Sequence, residues 1–473
     1  MIFNTSTALT SSLRVIPVLG EGKCVSLSEK LSGTAIHPAL FSGKKDSVYQ
    51  LAVEDQLIIL VGLGENPATS EIEKSFRRIL NKTSELVERS VSIEFSEDFS
   101  PSYIESALVG LQLGGYVLGI HKSKSATKKD FSTLEVKVQS SQRELEKIIT
   151  RAEKIAFAKI EGFRLVDFPP NIVTPTYLAD WAKENGKAHG FKVRIVESEE
   201  AKQLGLAAFL AVSRGSAKAP KFIIMEYRHP EAKSHLGLVG KGVTFDTGGL
   251  NIKTQGMEYM KSDMGGAAAV LATTLLMASL NLPINLTSIV PAVENAVDKD
   301  AYLPSEIIGS HAGLSIEVVD TDAEGRLILA DGLSYLVENY QVDQLIDLAT
   351  LTGSSVRTFG YECGALLSNS EELSKGLQDA GLSCGEKVWP LPMWDNYGKE
   401  MDSEVADIRN YNGKPTAGAI TAGKFLEAFI HGHPHWAHLD IAGVAYGDSE
   451  FAKTKTGTSF GVQLLLKFIE NQL

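Results

Sequence analysis

The sequence predicts a two-domain α/β protein. A small N-terminal α/β domain (residues 1–140) and a connecting helix (141–168) precede a larger C-terminal domain (169–473) built on a central, mainly parallel sheet. Three observations carry this. At 473 residues the chain exceeds the size at which one core usually keeps growing. Short apolar runs alternate with helical patterns, as strand–helix units do. A charged helical stretch from about Ser141 to Arg164, free of Gly until Gly162, is stopped by Phe168-Pro169-Pro170-Asn171 and Thr174-Pro175, which mark a border.

Within the first domain, Val48–Val53 and Leu57–Leu63 read as strands, the second ending in the Gly62–Gly64 turn. Glu71–Glu88 reads as an amphipathic helix and Val91–Phe95 as a further strand. The stretch from His121 to Lys129 is polar and basic and reads as a solvated loop. In the second domain, strands are expected at Phe222–Met225, Leu236–Val239, Ile284–Val290, Ile316–Val319, Leu345–Leu348 and Trp436–Asp440, with helical segments between most of them. Doubly wound α/β is the architecture this order favours, with chemistry at the C-terminal ends of the strands.

Composition narrows the class. Hydrophobic residues at 44% and charged residues at 22% are ordinary for a globular protein. A formal charge of −12 disfavours nucleic acid as the main partner, and residues 1–138 are themselves nearly neutral, with 15 Lys+Arg against 16 Asp+Glu. Three scattered cysteines (Cys24, Cys363, Cys384) form neither a disulfide framework nor a thiolate zinc site and fit a reducing compartment. Residues 1–20 lack a basic n-region before an apolar stretch, and no uninterrupted apolar run approaches the ~18 residues that span a bilayer. A soluble, cytoplasmic protein without a membrane partner is expected.

Two segments concentrate unusual residues. One runs from Gly240-Lys241-Gly242 through Asp246-Thr247-Gly248-Gly249 and Lys253 to Asp263-Met264-Gly265-Gly266. The other is Asp320-Thr321-Asp322-Ala323-Glu324-Gly325-Arg326-Leu327. In the first, an apolar strand runs into alternating Gly and acidic positions, where backbone can approach a ligand closely. If the fold gathers Asp246, Asp263, Asp322 and Glu324, these carboxylates repel one another unless cations lie between them. Divalent ions with hard oxygen ligands are the usual answer. Asp322 and Glu324 are two apart, so an extended backbone would point both to one side, just ahead of a helix expected at Leu327–Asn339. Any one of these acids alone could be a helix cap or first-turn acid. All of them together in glycine-rich surroundings favour a site.

Three other signals are weaker. Lys241 after Gly240 lacks the spacing of a phosphate loop, since His235 stands five before Gly240 and Gly242 follows the lysine. His431, His433, His435 and His438 have alternate spacing that could bind metal, but Pro434 and the apolar run after them favour a loop leading into a strand. Gly-x-Ser-x-Gly occurs at Gly381–Gly385 and Gly457–Gly461. Neither follows an apolar strand, as a nucleophile elbow must, and no histidine follows the second.

The two glycine-and-acid segments resemble the leucyl aminopeptidase (cytosol aminopeptidase) family of two-metal exopeptidases. The second matches the signature Asn-Thr-Asp-Ala-Glu-Gly-Arg-Leu at all but its first position. The likeness includes Asn171-Ile172-Val173-Thr174-Pro175, Val293-Glu294-Asn295, Ala349-Thr350-Leu351-Thr352-Gly353 and Trp436–Gly443, while the first domain is only weakly similar. The resemblance implies that Lys241, Asp246, Asp263, Asp322 and Glu324 hold two divalent ions, manganese or zinc with magnesium a third candidate. Asp246 and Glu324 would touch both ions, Lys241 and Asp263 one, and Asp322 the other. Lys253 and Arg326 match the catalytic non-ligands, Arg326 holding a bicarbonate ion as general base. Met260, Thr350, Gly353, Ala442 and Ala445 fall on the pocket for a leucine-like N-terminal side chain. A homohexamer cleaving peptides is also implied, with residues 169–473 as its catalytic metallopeptidase domain.

Two departures stand inside the motifs. Asp320 replaces the usual Asn, and the loop from Lys253 to Asp263 is one residue shorter than the common pattern. Two rival readings are a DNA-binding relative, against which the net acidity counts, and a two-metal phosphoesterase. The lysine ligand and the spacing of Lys253 and Arg326 favour the peptidase.

Overall fold

A computed structural model describes residues 1–6, 11–20, 36–53, 55–83, 90–119, 122–123 and 131–473. They form two compact units, Met1–Ile160 and Glu161–Leu473. Cys24 lies outside the described residues, as do residues 121 and 124–129 of the basic stretch.

Among its described residues the first unit holds six strands: β1 (Ile2–Thr5), β2 (Leu13–Leu19), β3 (Val48–Val53), β4 (Gln56–Gly64), β5 (Ser90–Glu94) and β6 (Glu135–Gln139). They make one sheet in the order β1-β6-β5-β2-β4-β3, parallel throughout except for β3 against β4. β4 is buried along most of its length, as a strand covered on both faces must be, whereas edge strand β3 alternates exposed and half-buried positions. The helix expected at Glu71–Glu88 starts at Thr69 and runs to Thr83, and its expected residues 84–88 are not among those described. A second helix, Pro101–Gly114, escaped the pattern reading because it is apolar on most sides. Its start is nevertheless conventional: Ser100 Oγ accepts the Tyr103 N–H, and Pro101 follows where no N–H is needed.

Helix Leu145–Asp167 leads into the second unit. Its sheet comprises β7 (Lys192–Val196), β8 (Lys221–Tyr227), β9 (His235–Gly240), β10 (Gly242–Asp246), β11 (Asn285–Asn295), and later strands numbered below. After the short β12 (Ile307–Ile308) and β13 (Ile316–Glu317) come β14 (Gln344–Ala349), β15 (Gly364–Ser368), β16 (Val388–Pro390), the short β17 (Ile408–Arg409) and β18 (Trp436–Asp440). The nine-stranded sheet runs β16-β15-β18-β14-β9-β11-β8-β7, with β10 also on β11. Its centre, β18-β14-β9-β11-β10, is parallel, while β7, β8 and the β15–β18 pair are antiparallel.

One expected strand is corrected. Ile316–Val319 is not part of the central sheet; only Ile316–Glu317 is extended, in a separate three-stranded sheet with β12 and β17. The ladder stops because Asn410 Oδ1 takes the N–H groups of Val319 and Asp320. Asp320 Oδ1 then accepts the Asp322 N–H and turns the chain.

The stretch Met257–Leu280 is long and apolar enough to cross a membrane by length and composition, but 89% of that window is buried inside the fold. It contains the helix Gly265–Leu280, which the glycines draw tightly onto the sheet. A Cβ on Gly266 would stand 2.0 Å from the Leu348 carbonyl oxygen of β14. The sheet's parallel centre and this helix set the frame for the residues that follow each strand end.

Candidate metal centre

Four strands of the parallel centre end at one place. β9 stops at Gly240, and Lys241 follows it, its N–H donating to the Leu348 carbonyl at 3.0 Å and its carbonyl accepting from Ala267 at 2.9 Å. Asp246 is the last residue of β10, Thr350 follows β14, and Asp440 ends β18. Asp263 and Glu324 precede the helices Gly265–Leu280 and Gly325–Asn339, so both carboxylates stand by helix N-termini whose dipoles favour negative charge.

The side chains meet as two clusters. Lys241 Nζ lies 2.9 Å from Asp263 Oδ1 and 3.0 Å from Glu324 Oε1, and also donates to the Thr350 carbonyl at 3.0 Å. Lys253 Nζ lies 2.6 Å from Asp246 Oδ2 and 2.5 Å from Asp322 Oδ1. One ligand oxygen each of Asp246, Asp322 and Glu324 fall within 4.8 Å of one another. Asp322 and Glu324 reach this point through a turn, not along extended backbone. Ala323 N–H donates to the Asp320 carbonyl, and Glu324 has helical dihedrals of −74° and −36°. A Cβ on Gly325 next to it would lie 2.6 Å from Lys241 Nζ and would displace that amine.

Four carboxylates face two ammonium groups, so the cluster carries two uncompensated negative charges when all are ionised. Burial, with repulsion from neighbouring acids, pushes protons onto Asp263, Glu324 and Asp322. Desolvation of Asp263, opposed by Lys241, raises its carboxyl to about 8, that of Glu324 rises to about 7, and that of Asp322 to about 6. Burial acts to lower Lys241 and Lys253, but the surrounding acids outweigh it and hold both ammonium groups protonated. Asp263 Oδ2 and Glu324 Oε2 are buried and accept no hydrogen bond. Unsatisfied carboxylate oxygens of this kind are costly unless a cation binds them, and hard oxygen donors suit divalent ions. The residues therefore fit a divalent metal site.

The site opens into a cavity of about 680 Å³, lined among others by Met260, Asp320, Arg326, Thr350, Gly353, Arg357, Lys414 and Ala442. Arg326 is buried, donates from Nη1 to the Asn410 carbonyl at 2.8 Å, and leaves Nε without an acceptor. Ala445 is not on the wall. It sits one layer behind, where a Cβ on Gly265 would stand 2.9 Å from its methyl and 3.1 Å from that of Thr350.

Comparison with known proteins agrees with this geometry. The catalytic-domain profile of the cytosol aminopeptidase family matches residues 163–466. The chain belongs to the cytosol aminopeptidase family. A probable cytosol aminopeptidase of Chlorobaculum tepidum is 40% identical over 437 residues, covering 88% of this chain and 86% of that protein. One of Chloroherpeton thalassium is 36% identical over 502 residues, covering 99% and 98%. Among solved structures, the bottromycin maturation enzyme BotP in complex with Mn superposes with a TM-score of 0.86 at 27% identity, covering 98% of this chain and 99% of that one. The protein is accordingly a metal-dependent aminopeptidase, a hydrolase acting on peptides.

Around the cytosol aminopeptidase site, three residues take positioning roles that the sequence did not assign to them. Asn295, at the end of β11, donates from Nδ2 to Asp246 Oδ1 at 2.8 Å and to the Thr321 carbonyl at 3.1 Å. Thr350 Oγ1 donates to Asp263 Oδ1 at 2.9 Å. Asn410 braces the 319–323 turn and Arg326 together. These contacts span long sequence separations, so only the fold makes them visible. Asp320 keeps the role an asparagine would have, since its Oδ1 accepts the Asp322 N–H.

The histidines do not converge. His438 is buried against Asp347 (2.5 Å), directly opposite it on β14, and Trp436 Nε1 donates to the same carboxylate. His431 meets Ser334, His433 the Val342 carbonyl, and His435 Ser370. Of the Gly-x-Ser-x-Gly matches, Ser383 lies in the last turn of helix Glu371–Cys384. Ser459 has φ 55° just ahead of helix Val462–Glu470, preceded by only a two-residue strand.

The raised carboxyl groups give a pH prediction. A carboxyl held above its ordinary value stabilises the metal-free fold at low pH and loses that contribution as pH rises through its folded value. Metal binding needs the ionised forms, so protons compete with it below about pH 8. The rise in melting temperature on adding Mn²⁺ should therefore be small at pH 6 and grow steadily to pH 8. Thermal unfolding with and without Mn²⁺ checks this, and a shift independent of pH would refute it.

Proposed function

We propose that this aminopeptidase releases N-terminal residues, preferably leucine-like ones, from peptides by means of water activated between two divalent ions. The observation that carries the reading is the pair of adjoining clusters, with two buried, unpartnered carboxylate oxygens, beside a 680 Å³ cavity. Lys241, Asp246, Asp263, Asp322 and Glu324 would hold the ions, with Asp246 and Glu324 shared. Bound there, two cations supply Lewis acidity and lower the pKa of an attached water towards neutrality.

The chain's own groups do the rest. Lys241 would bind as the neutral amine and so must give up the proton that its acidic neighbours now stabilise. Lys253, freed from Asp246 and Asp322, would donate to the oxygen of the scissile carbonyl as it becomes anionic. Arg326, whose buried Nε lacks an acceptor, would hold bicarbonate as the base that takes the water's proton. Met260, Gly353 and Ala442 offer the N-terminal side chain a largely apolar lining, with the Thr350 methyl beside them and Ala445 behind. Manganese is supported by the Mn complex of BotP, and zinc by the family resemblance. The same resemblance supports a cytoplasmic homohexamer.

In this reading the substrate's free α-amine would be a ligand of the metal held by these residues. Leucine amide should be hydrolysed and N-acetyl-leucine amide should not, with a rate ratio of at least about a hundredfold, the scale of losing one oriented contact at the reacting centre. Equal rates on the two would sink the exopeptidase assignment.

A further inference from the structure

We propose that Arg357 is a specificity-determining residue that recognises a carboxylate on the peptide substrate. The inference rests on the aminopeptidase reading above and adds a group to which that reading gives no task.

Arg357 lies on the short helix Gly353–Phe359, one turn beyond Gly353. Residues four apart share a helix face, and helical side chains lean towards the N-terminus. The guanidinium accordingly reaches back over the start of its helix: a Cβ on Gly353 would be 3.3 Å from Arg357 Nη1. Gly353 is one of the positions expected to border the N-terminal side-chain pocket, and Arg357 lines the same cavity as the ligand carboxylates.

A purely structural role would look different. An arginine in the last turn of a helix ordinarily meets the free carbonyls at the C-terminal end, where its charge is favoured. This guanidinium instead lies beside Gly353 at the N-terminal end, where the helix dipole disfavours a cation. It is solvent-exposed, and no acceptor among the described residues binds it. The cavity's own acids are already engaged. Asp246, Asp263, Asp322 and Glu324 face the two lysines, and Asp320 caps the Asp322 amide. Lys414, also on the wall, has Glu400 at 3.4 Å. Arg357 is thus a charged fork without an internal partner beside the substrate, and a planar guanidinium matches a carboxylate with two parallel hydrogen bonds.

A peptide can present that carboxylate in two ways, as the side chain of an N-terminal Asp or Glu or as the free C-terminus of a dipeptide. Two substrate pairs separate them: aspartyl against leucyl p-nitroanilide, and Leu-Gly against Leu-Gly amide. Each is measured with Mn²⁺-loaded wild type, Arg357→Gln and Arg357→Glu. In one pair, the kcat/KM ratio of the carboxylate-bearing substrate over its neutral partner should fall by about tenfold or more in Arg357→Gln, the scale of one charge-assisted hydrogen bond. It should fall further in Arg357→Glu, where like charges repel. A change in the first pair assigns Arg357 to the first side chain, and a change in the second assigns it to the C-terminus. Ratios that agree within about twofold across all three proteins, for both pairs, overturn the proposal while leaving the aminopeptidase reading intact. Failure of the wild type to cleave leucyl p-nitroanilide would instead remove the reading on which it rests.

Discussion

Replacing Asp246 or Glu324 by alanine is expected to lower turnover of leucine p-nitroanilide by at least about a thousandfold, the upper range for losing a pre-organised electrostatic contribution. Each acid touches a different cluster: Asp246 lies against Lys253, Glu324 against Lys241. If both are shared between two ions, neither loss can be confined to one position. The fold should survive, because burial already disfavours the ionised form of Glu324 and Lys241 keeps Asp263 as a partner at 2.9 Å without it. The Asn295 Nδ2 that now donates to Asp246 keeps a second acceptor in the Thr321 carbonyl. Metal content per chain, measured beside turnover, decides the matter. Near-wild-type activity with two bound metals in either variant would overturn the ligand assignment.

Lys253→Ala and Arg326→Ala should instead retain both metals and still lose turnover by about a hundredfold to a thousandfold, as removal of a group stabilising developing charge does. The geometry sharpens the first case. The Lys253 ammonium stands between Asp246 and Asp322, so it competes with a cation for the same oxygens. Its removal should leave metal affinity equal or higher. Arg326 is tied to the Asn410 carbonyl and touches no ligand carboxylate by hydrogen bond, so its loss should likewise spare the ions. Binding isotherms for Mn²⁺ alongside kcat test this. A variant that bound less metal and regained activity with excess metal would make its residue a ligand.

Apolar runs located β4, β5, β8, β9, β11, β14 and β18, and alternation located edge strand β3, because strands covered on both faces are apolar along their length while an edge strand turns alternate residues outward. The same local rule failed at Ile316–Val319, where three apolar residues around Glu317 promised a core strand and Asn410, 90 residues beyond Asp320, ended it. It also failed at helix Pro101–Gly114, whose nearly uniform burial erased the amphipathic stripe. The glycine-and-acid segments were legible as chemistry because clustered carboxylates in flexible backbone are costly without cations.

By itself, then, the sequence determined the fold class, the family and the group of acids and bases to be gathered, since these depend on residue type and spacing. Only the tertiary structure decided how they are gathered. It divided four carboxylates between two lysines, brought Asp322 and Glu324 together through a turn, and placed Ala445 behind the cavity wall. It supplied Asn295, Thr350 and Asn410 as supports and laid Arg357 over Gly353. The physical reason is distance. Electrostatic and hydrogen-bond energies fall off within a few ångströms, and most of these contacts join residues tens of positions apart in the chain.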